Sequence, residues 1–228
     1  MRLALIIPTM AGGGAERVMS TLANAWANAG NSISLISFES PGTQSFYPLE
    51  PVVNVVQLDI LKHTESKRTA VSANINRIKA LRYALKTIQP DAIVSFLTET
   101  NILSVLASLG LPAKVVLAEH TDPLIHDPGR IWRILRRVLY KLSDRVVVLN
   151  ERARATYTCF LRGRVKVISN PVVAENPVVG DPLPPCKNPY VIAMGRFSEE
   201  KRFDLVVTAF SQIIQRFPEW SLVLVGDG

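Results

Sequence analysis

Short apolar runs alternate along the chain with longer segments in which apolar residues recur every three or four positions. Several runs are continuous and β-branched, which is typical of strands that helices cover on both faces. The strands predicted in the first part of the chain are 3–7, 32–38, 52–58, 92–96, 115–118, 145–149 and 165–168. The helices predicted between them are 15–29, 73–88, 102–109 and 131–142. This alternation predicts an α/β fold with a doubly wound parallel sheet.

A change in composition separates this first part, residues 1–170, from the rest. Prolines crowd residues 171–189, and such density resists both helix and sheet, so we predict a linker there. Residues 190–228 then begin a second α/β domain, which amounts to one βαβ unit with little capacity to bury a core. Its predicted elements are strands 190–194 and 221–225 and a helix at about 203–217.

The overall composition is that of a packed globular protein. Hydrophobic residues make up 48% of the chain and charged residues 20%, and no window approaches the ~18 consecutive apolar residues of a membrane span. The two cysteines, Cys159 and Cys186, have neither a CxxC partner nor a histidine at metal-ligand spacing. We therefore expect a soluble or peripheral cytoplasmic protein without a disulfide framework or a metal site.

The helix predicted at 131–142 combines an apolar stripe with many cations. The stripe consists of Ile131, Ile134, Leu135, Val138, Leu139 and Leu142. Helical spacing puts it on one face, so we predict that it packs on the core while Arg133, Arg136, Arg137 and Lys141 face solvent. These cations, part of a net charge of +7, form either a solvated face or one that an anionic membrane surface attracts. Few aromatic residues are interleaved with them, so we predict no nucleic-acid partner.

A glycine loop stands between the first strand and the first helix. The residues of interest there are Gly12, Gly13, Gly14, Glu16 and Arg17. Glycine lets a ligand approach the backbone closely, and the free N–H groups of a helix start favour a phosphate or a carboxylate. A tight turn without a ligand is the structural alternative. A dinucleotide-binding loop with Glu39 as ribose ligand is a further alternative, although Arg17 replaces the third glycine of GxGxxG.

A second candidate site follows the strand predicted at 115–118. Glu119, His120 and Asp122 stand there, at the carboxyl end of the strand, where open α/β sheets bind their ligands. A lone histidine is commonly a hydrogen-bonded structural residue. Its position nevertheless favours substrate contact by the histidine and the two carboxylates.

The loop after the predicted strand 190–194 carries two cations. Gly195 permits a sharp exit from the strand, Arg196 can offer paired donors to a phosphate, and Lys201 adds a mobile point charge near the next helix. Two solvated charges beside acidic neighbours are the alternative when this loop is taken alone.

Five segments in order along the whole chain resemble the family 4 retaining glycosyltransferases, which have the GT-B architecture of two Rossmann-like domains. The segments are 12–17, 143–150, 167–172, Gly195-Arg196 with Lys201, and 222–228. The resemblance implies a Rossmann-like N-terminal domain and the first βαβ of a second Rossmann-like domain. It also implies transfer of a sugar from a nucleotide-sugar donor to a glycan or lipid-linked glycan acceptor, with retention of configuration and without a metal or other cofactor.

The same resemblance implies a role for each candidate residue. The glycine loop would lie near the donor phosphates or sugar, with Glu16 and Arg17 on the acceptor side. His120 would lie near the transferred sugar. Arg196 and Lys201 would bind the donor diphosphate and stabilise the leaving nucleotide electrostatically.

The chain departs from the family in two respects. Arg202 stands where a glycine commonly follows the lysine, and the family's paired glutamates, which bind the donor sugar and ribose, do not occur. We therefore expect a chain shortened in its donor-binding domain, with little activity of its own. Two other functions remain open: a non-catalytic domain that binds only acceptor or membrane, and an NAD-dependent oxidoreductase that uses Gly12, Gly14 and Glu39.

Overall fold

The computed structural model describes residues 1–61, 67–121, 129–172 and 189–226. Contacts divide the chain into two units, Met1–Val172 and Val173–Gly228. The linker predicted at 171–189 lies almost entirely outside the described residues, as does Asp122.

The first unit contains seven strands and five helices among its described residues. The strands are β1 Arg2–Ile6, β2 Ser32–Ser37, β3 Asn54–Gln57, β4 Ala92–Phe96, β5 Lys114–Glu119, β6 Arg145–Val148 and β7 Val165–Val167. The helices are α1 Gly14–Asn28, α2 Lys67–Ile88, α3 Thr98–Ser108, α4 Arg130–Leu139 and α5 Glu151–Thr158. A 3₁₀ turn, Tyr140–Leu142, continues α4.

All seven strands pair in parallel, in the order β3-β2-β1-β4-β5-β6-β7. The register of the central strand shows the pairing, because Leu5 lies opposite Leu35 on one side and Val94 on the other. The prediction of a doubly wound parallel sheet is therefore confirmed for the first unit.

The core of this unit lies on both faces of the sheet. Side chains alternate along β1 and the residue after it, so that Ala4 and Ile6 enter one buried cluster while Leu5 and Ile7 enter the other. Residues of α1 fill the second cluster, and residues of α2, α3 and α5 fill the first. Continuous apolar strands follow from this arrangement, since every side chain of a central strand meets a helix layer.

Helix α5 was not predicted, because its apolar pattern is sparse. Only Ala153 and Tyr157 of this helix are buried, one helical turn apart. Its start has a local cause that the sequence does carry: Oδ1 of Asn150 accepts a hydrogen bond from the backbone N–H of Ala153 at 2.8 Å. Such N-caps satisfy an otherwise unpaired donor of the first turn.

Helix α4 presents a different face from the one predicted. Ile131, Ile134 and Val138 are 74%, 55% and 57% exposed, as is Leu142 of the following turn at 55%, whereas Arg136 is only 6% exposed. The prediction that the whole apolar stripe faces the core and that all four cations face solvent is therefore wrong.

The reason is a second stripe that overlaps the predicted one. Trp132, Leu135 and Leu139 pack against the core, and this stripe includes the buried Arg136. The Arg136 guanidinium lies over the Tyr157 ring, 5.3 Å from its centroid, a cation–π contact that compensates part of its burial.

The second unit is a βαβ unit. Strands β8 Tyr190–Met194 and β9 Ser221–Val225 pair in parallel, and helix α6 Phe203–Ile213 connects them after a 3₁₀ turn at Glu199–Lys201. The helix ends four residues earlier than predicted. None of the described residues of this unit is fully buried. Its strands and helix therefore supply apolar surface without enclosing a core.

Candidate functional site

The strand order of the first unit reverses between β1 and β4, since β2 and β3 lie beyond β1 while β5, β6 and β7 lie beyond β4. Ligands of open parallel sheets bind at the carboxyl ends of the strands beside such a point. Leu97, directly after β4, has a positive φ of 75°, a strained conformation that clusters at functional sites. The glycine loop follows β1 and His120 follows β5, and only β4 lies between these two strands. At the usual strand spacing, the ends of β1 and β5 are roughly 10 Å apart.

The glycine loop leads into α1 without a side-chain cap at Gly13. The Glu16 side chain folds back over this point, where it would collide with a Cβ on residue 13, and its Oε1 accepts a hydrogen bond from Thr9 Oγ1 at 3.3 Å. A carboxylate beside a helix N-terminus is electrostatically favourable. The loop therefore presents the chain's own negative charge where the sequence predicts a phosphate or sugar, and Arg17 lies exposed next to it.

His120 lies directly after β5 with its ring against Phe96, the two centroids being 4.1 Å apart. Burial lowers the pKa of His120 to about 4, so the imidazole is neutral at physiological pH. Both ring nitrogens are buried, and neither has a hydrogen-bond partner among the described residues. A buried polar group without a partner is one that a ligand can satisfy.

Glu119, next to His120, does not reach the ligand side. It is only 2% exposed, and its carboxylate accepts hydrogen bonds from Thr98 at 2.8 Å, from Asn101 at 3.3 Å and from the Tyr140 hydroxyl. Burial raises its pKa, while these hydrogen bonds oppose the shift. The prediction of substrate contact is therefore wrong for Glu119, which instead connects β5 with α3 and with the turn after α4.

The structure also corrects the alternative role of Glu39. This residue is only 7% exposed, and its Oε2 accepts a hydrogen bond from the backbone N–H of Met10 at 3.0 Å. Its carboxylate thus holds the segment that leads into the glycine loop, and it is not available to a ribose. The dinucleotide-binding hypothesis loses its acidic ligand.

In the second unit, the loop after β8 carries the two predicted cations. Arg196 and Lys201 are exposed, and no hydrogen bond or ion pair of either side chain is found among the described residues. The aliphatic part of Lys201 lies over Gly195, where a Cβ would come within 3.7 Å of it. The 3₁₀ turn, closed by the Lys201 N–H on the Ser198 carbonyl at 3.0 Å, fixes the start of the lysine side chain.

Arg202, which replaces the family's usual glycine, keeps the backbone shape that glycine would favour. Its φ and ψ are 50° and 43°, in the left-handed region. Its guanidinium donates to both carboxylate oxygens of Asp204 at 3.0 Å, and this pair holds the pKa of Asp204 below its usual value. Arg202 is therefore engaged locally and leaves Arg196 and Lys201 as the cations open to a ligand.

The ends of the two strands of the second unit approach each other closely. The Gly195 N–H donates to the Val225 carbonyl at 2.9 Å, and a Cβ on Gly226 would collide with the Gly195 carbonyl oxygen. Glycine at 226 is therefore required for the two loops to lie side by side. Asp227 and Gly228 lie outside the described residues.

Two classes of feature are absent from the part of the chain that the structure describes. There, no group of three or more His, Cys, Asp or Glu side chains converges as a metal site. No helix within the same residues has the length and apolar character needed to cross a membrane.

The fold matches the Rossmann-like domain of GT-B glycosyltransferases in solved structures. Sucrose-phosphate synthase from Thermosynechococcus elongatus superimposes with a TM-score of 0.77 at 16% identity, over 99% of this chain and 62% of that one. The Anabaena protein HepE, solved in complex with UDP-glucose, gives 0.66 at 15% identity, over 100% of this chain and 61% of that one. At these identities the likeness establishes the fold.

The sequence establishes the family. The profile of Glycosyltransferase Family 4 matches residues 12–176, and the chain belongs to that family, as its motifs predicted. A curated relative from Campylobacter jejuni is 32% identical over 229 aligned positions. That protein is named a GalNAc-α-(1→4)-GalNAc-α-(1→3)-diNAcBac-PP-undecaprenol α-1,4-N-acetyl-D-galactosaminyltransferase. The match covers 100% of this chain, and the chain spans 62% of the length of that relative.

Proposed function

We propose that this chain serves a glycosyltransferase that moves a sugar from a nucleotide-sugar to a glycan or lipid-linked glycan, with retention of configuration. The observation that carries the proposal is the match over the whole chain to a transferase named for a polyprenol-diphosphate-linked glycan. Membership of family 4 supports the same reaction class.

On the first unit, the proposal assigns the acceptor side to the loop after β1. The Glu16 carboxylate can accept hydrogen bonds from sugar hydroxyls, which suits a neutral glycan better than it suits a second anion. Arg17, exposed beside it, can reach an acidic group of the acceptor. His120, neutral at physiological pH, supplies one donor and one acceptor to the transferred sugar.

On the second unit, the proposal assigns the donor diphosphate to Arg196 and Lys201. Both side chains are exposed and project from the same short loop, which starts at Gly195. Their positive charges would neutralise the charge that develops on the departing nucleotide diphosphate, so the reaction needs no metal ion. The setting that we propose is the cytoplasmic face of a membrane, because a lipid-linked acceptor resides in a bilayer.

Nucleotide binding tests the assignment on the second unit. UDP and GDP are titrated separately into the chain, and binding is followed by NMR chemical shifts, which detect weak affinities. One of the two nucleotides should bind. The double variant Arg196→Gln/Lys201→Gln should weaken that binding by at least about tenfold, since each substitution removes hydrogen bonds to a charged group.

A matched control and the rival function complete the test. Arg216→Gln removes an exposed cation elsewhere on the second unit and should leave nucleotide affinity unchanged. Equal affinity of the double variant and the wild type would refute the diphosphate assignment. Acceptor glycan binding without any nucleotide binding would favour the non-catalytic acceptor-binding domain instead. We also expect these 228 residues alone to have little or no sugar-transfer activity, which a radiolabelled donor assay measures.

A further inference from the structure

Phe46 is an exposed aromatic residue that the proposed function does not use. It lies in the loop between β2 and β3 and is 70% exposed. Strand β2 pairs with β1, so this loop leaves the sheet beside the glycine loop. Single exposed apolar side chains are common on protein surfaces, so exposure alone assigns no role to Phe46. Its contacts give the stronger indication.

The Phe46 ring lies against the glycine loop. A Cβ on Gly12 would be 3.6 Å from each of three atoms of this ring, Cγ, Cδ2 and Cε2. Equal distances to three atoms of a flat ring place residue 12 over the ring face and not at its edge. The neighbouring Tyr47 ring is nearly perpendicular, at 77°, with its centroid 5.1 Å away. The Phe46 ring and the glycine loop therefore form one continuous surface.

Hydrogen bonds fix the backbone that carries this ring. The Phe46 N–H donates to the Met10 carbonyl, at the start of the glycine loop, at 2.8 Å. Two residues further on, the Pro48 carbonyl accepts from Ser20 Oγ at 2.7 Å and from Asn24 Nδ2 at 3.0 Å, both on α1. A loop that is already fixed loses little conformational freedom when a ligand binds to it. Phe46 is thus an exposed ring on a preorganised support.

A hydrogen-bond acceptor lies next to the ring. The Glu16 carboxylate folds over Gly13, directly after the residue that the ring contacts. Consecutive Cα atoms are about 3.8 Å apart, so the ring and the carboxylate are close neighbours on the loop. An aromatic face packs against C–H groups, and a carboxylate accepts hydrogen bonds from hydroxyls. A pyranose ring offers both kinds of group, with C–H groups on its faces and hydroxyls around its rim.

We propose that Phe46 is a stacking platform for a neutral pyranose ring of the acceptor, whose hydroxyls it places beside the Glu16 carboxylate. Other ligand classes fit this pair less well. The carboxylate repels a phosphate or another anion, and a hydrocarbon chain on the ring would take water away from the carboxylate without replacing its hydrogen bonds. The inference rests on the proposed function, because it names the part of the acceptor that the loop after β1 recognises.

Saturation-transfer NMR tests the proposal with the whole 228-residue chain and without nucleotide. The probes are methyl β-D-galactopyranoside, methyl β-D-glucopyranoside and methyl N-acetyl-α-D-galactosaminide. At least one should bind, and irradiation of aromatic protein resonances should saturate the C–H protons of one sugar face most strongly. Phe46→Ala should weaken the affinity by roughly three- to tenfold, because the aromatic contact is lost.

Two further variants and a matched control separate stacking from a structural role. Phe46→Trp keeps a flat aromatic face and should restore the binding that Phe46→Ala loses. Phe46→Leu keeps an apolar side chain but no aromatic face, so it should bind weakly and lose the transfer from aromatic resonances. Tyr83→Ala removes a ring that is 76% exposed on α2 and should bind as the wild type does. Thermal melting by circular dichroism establishes that each variant is folded.

Three outcomes would overturn the proposal. The wild type could bind none of the three glycosides, or Phe46→Ala could bind them as strongly as Tyr83→Ala. A separate titration could instead find that Phe46→Ala weakens UDP or GDP binding and leaves glycoside binding unchanged, and the ring would then stack on a nucleobase. The glycoside assay involves neither Arg196 nor Lys201, so its failure leaves the donor assignment on the second unit intact, and the reverse holds as well.

Discussion

The two units of this protein contain similar elements but achieve very different burial. The first unit places helices on both faces of a seven-stranded sheet, and central residues such as Leu5 and Leu35 are fully buried. The second pairs two strands with one helix, and none of its described side chains is fully buried. The proposed diphosphate ligands lie on this sparsely packed unit. Apolar sequence is therefore insufficient for a core, since a strand is enclosed only when layers cover both of its faces.

Deletion of packing atoms should give the largest contrast between the units. Leu35→Ala in the first unit should lower the free energy of unfolding by about 2–5 kcal/mol, because a fully buried side chain leaves a cavity. Val207→Ala in α6, where the side chain is 48% exposed, should change it by less than about 0.5 kcal/mol. Urea unfolding followed by tryptophan fluorescence measures both, with Trp26 reporting on the first unit and Trp220 on the second. Similar losses in the two variants would contradict the difference in packing.

Disruption of the buried polar network around Glu119 should have the next largest effect on stability. Tyr140→Phe removes the hydroxyl that donates to the Glu119 carboxylate and accepts from Asn101 at 3.1 Å. Loss of a partner to a buried charged group should cost about 1–3 kcal/mol. Tyr83→Phe is the matched control, because its hydroxyl belongs to an exposed side chain of α2 and its loss should cost almost nothing. Equal melting temperatures for the two variants would mean that the network contributes no stability.

His120 should make the stability of the first unit depend on pH. Its pKa is about 4 in the folded chain, below the 6.5 of an unfolded histidine, so between these values the unfolded chain binds more protons. The contribution of His120 to the free energy of unfolding should therefore be fully present above pH 6.5. It should decrease as the pH falls, by up to about 1.4 kcal/mol per pH unit.

The variant His120→Gln isolates this contribution. Glu119 titrates in the wild type and in the variant alike, so the difference between their unfolding free energies at pH 7.5, 6 and 5 reports on the histidine. The free energy of unfolding of the variant should rise steadily relative to that of the wild type as pH falls. Parallel curves would show that His120 is not desolvated in the folded chain.

Arg202 should give the smallest effect, on the second unit. Arg202→Gly relieves a left-handed backbone but loses the exposed pair with Asp204 and adds unfolded-state entropy, so the melting temperature should change little. Arg202→Val should lower the melting temperature more, since a β-branched side chain resists this conformation. Thermal melting compares the two, and a valine variant as stable as the glycine variant would exclude the left-handed geometry.

Much of the fold follows from local patterns. The apolar runs predicted all nine strands found among the described residues, and the glycine, His120 and Arg196 positions fell on the loops after β1, β5 and β8 as expected. Helix α5 was missed because two buried residues make a weak period, although Asn150 carried a capping signal. The site roles of Glu16, His120, Arg196 and Lys201 stay predictions.

Which face of a helix is buried was decided by tertiary structure. The sequence of α4 contains two overlapping stripes, and periodicity favoured the purely aliphatic one. The fold instead buries the stripe that includes Arg136. Two residues distant in sequence favour this position: the Tyr157 ring of α5 lies under the Arg136 guanidinium, and the Glu119 carboxylate attracts it electrostatically. Similarly, Glu39 and Glu119 stood at strand ends like ligand residues, yet each is engaged by partners far away in the chain. Local sequence patterns thus determined the strands, the loops between them and the family motifs. Contacts between distant residues determined which polar groups remain free for a substrate.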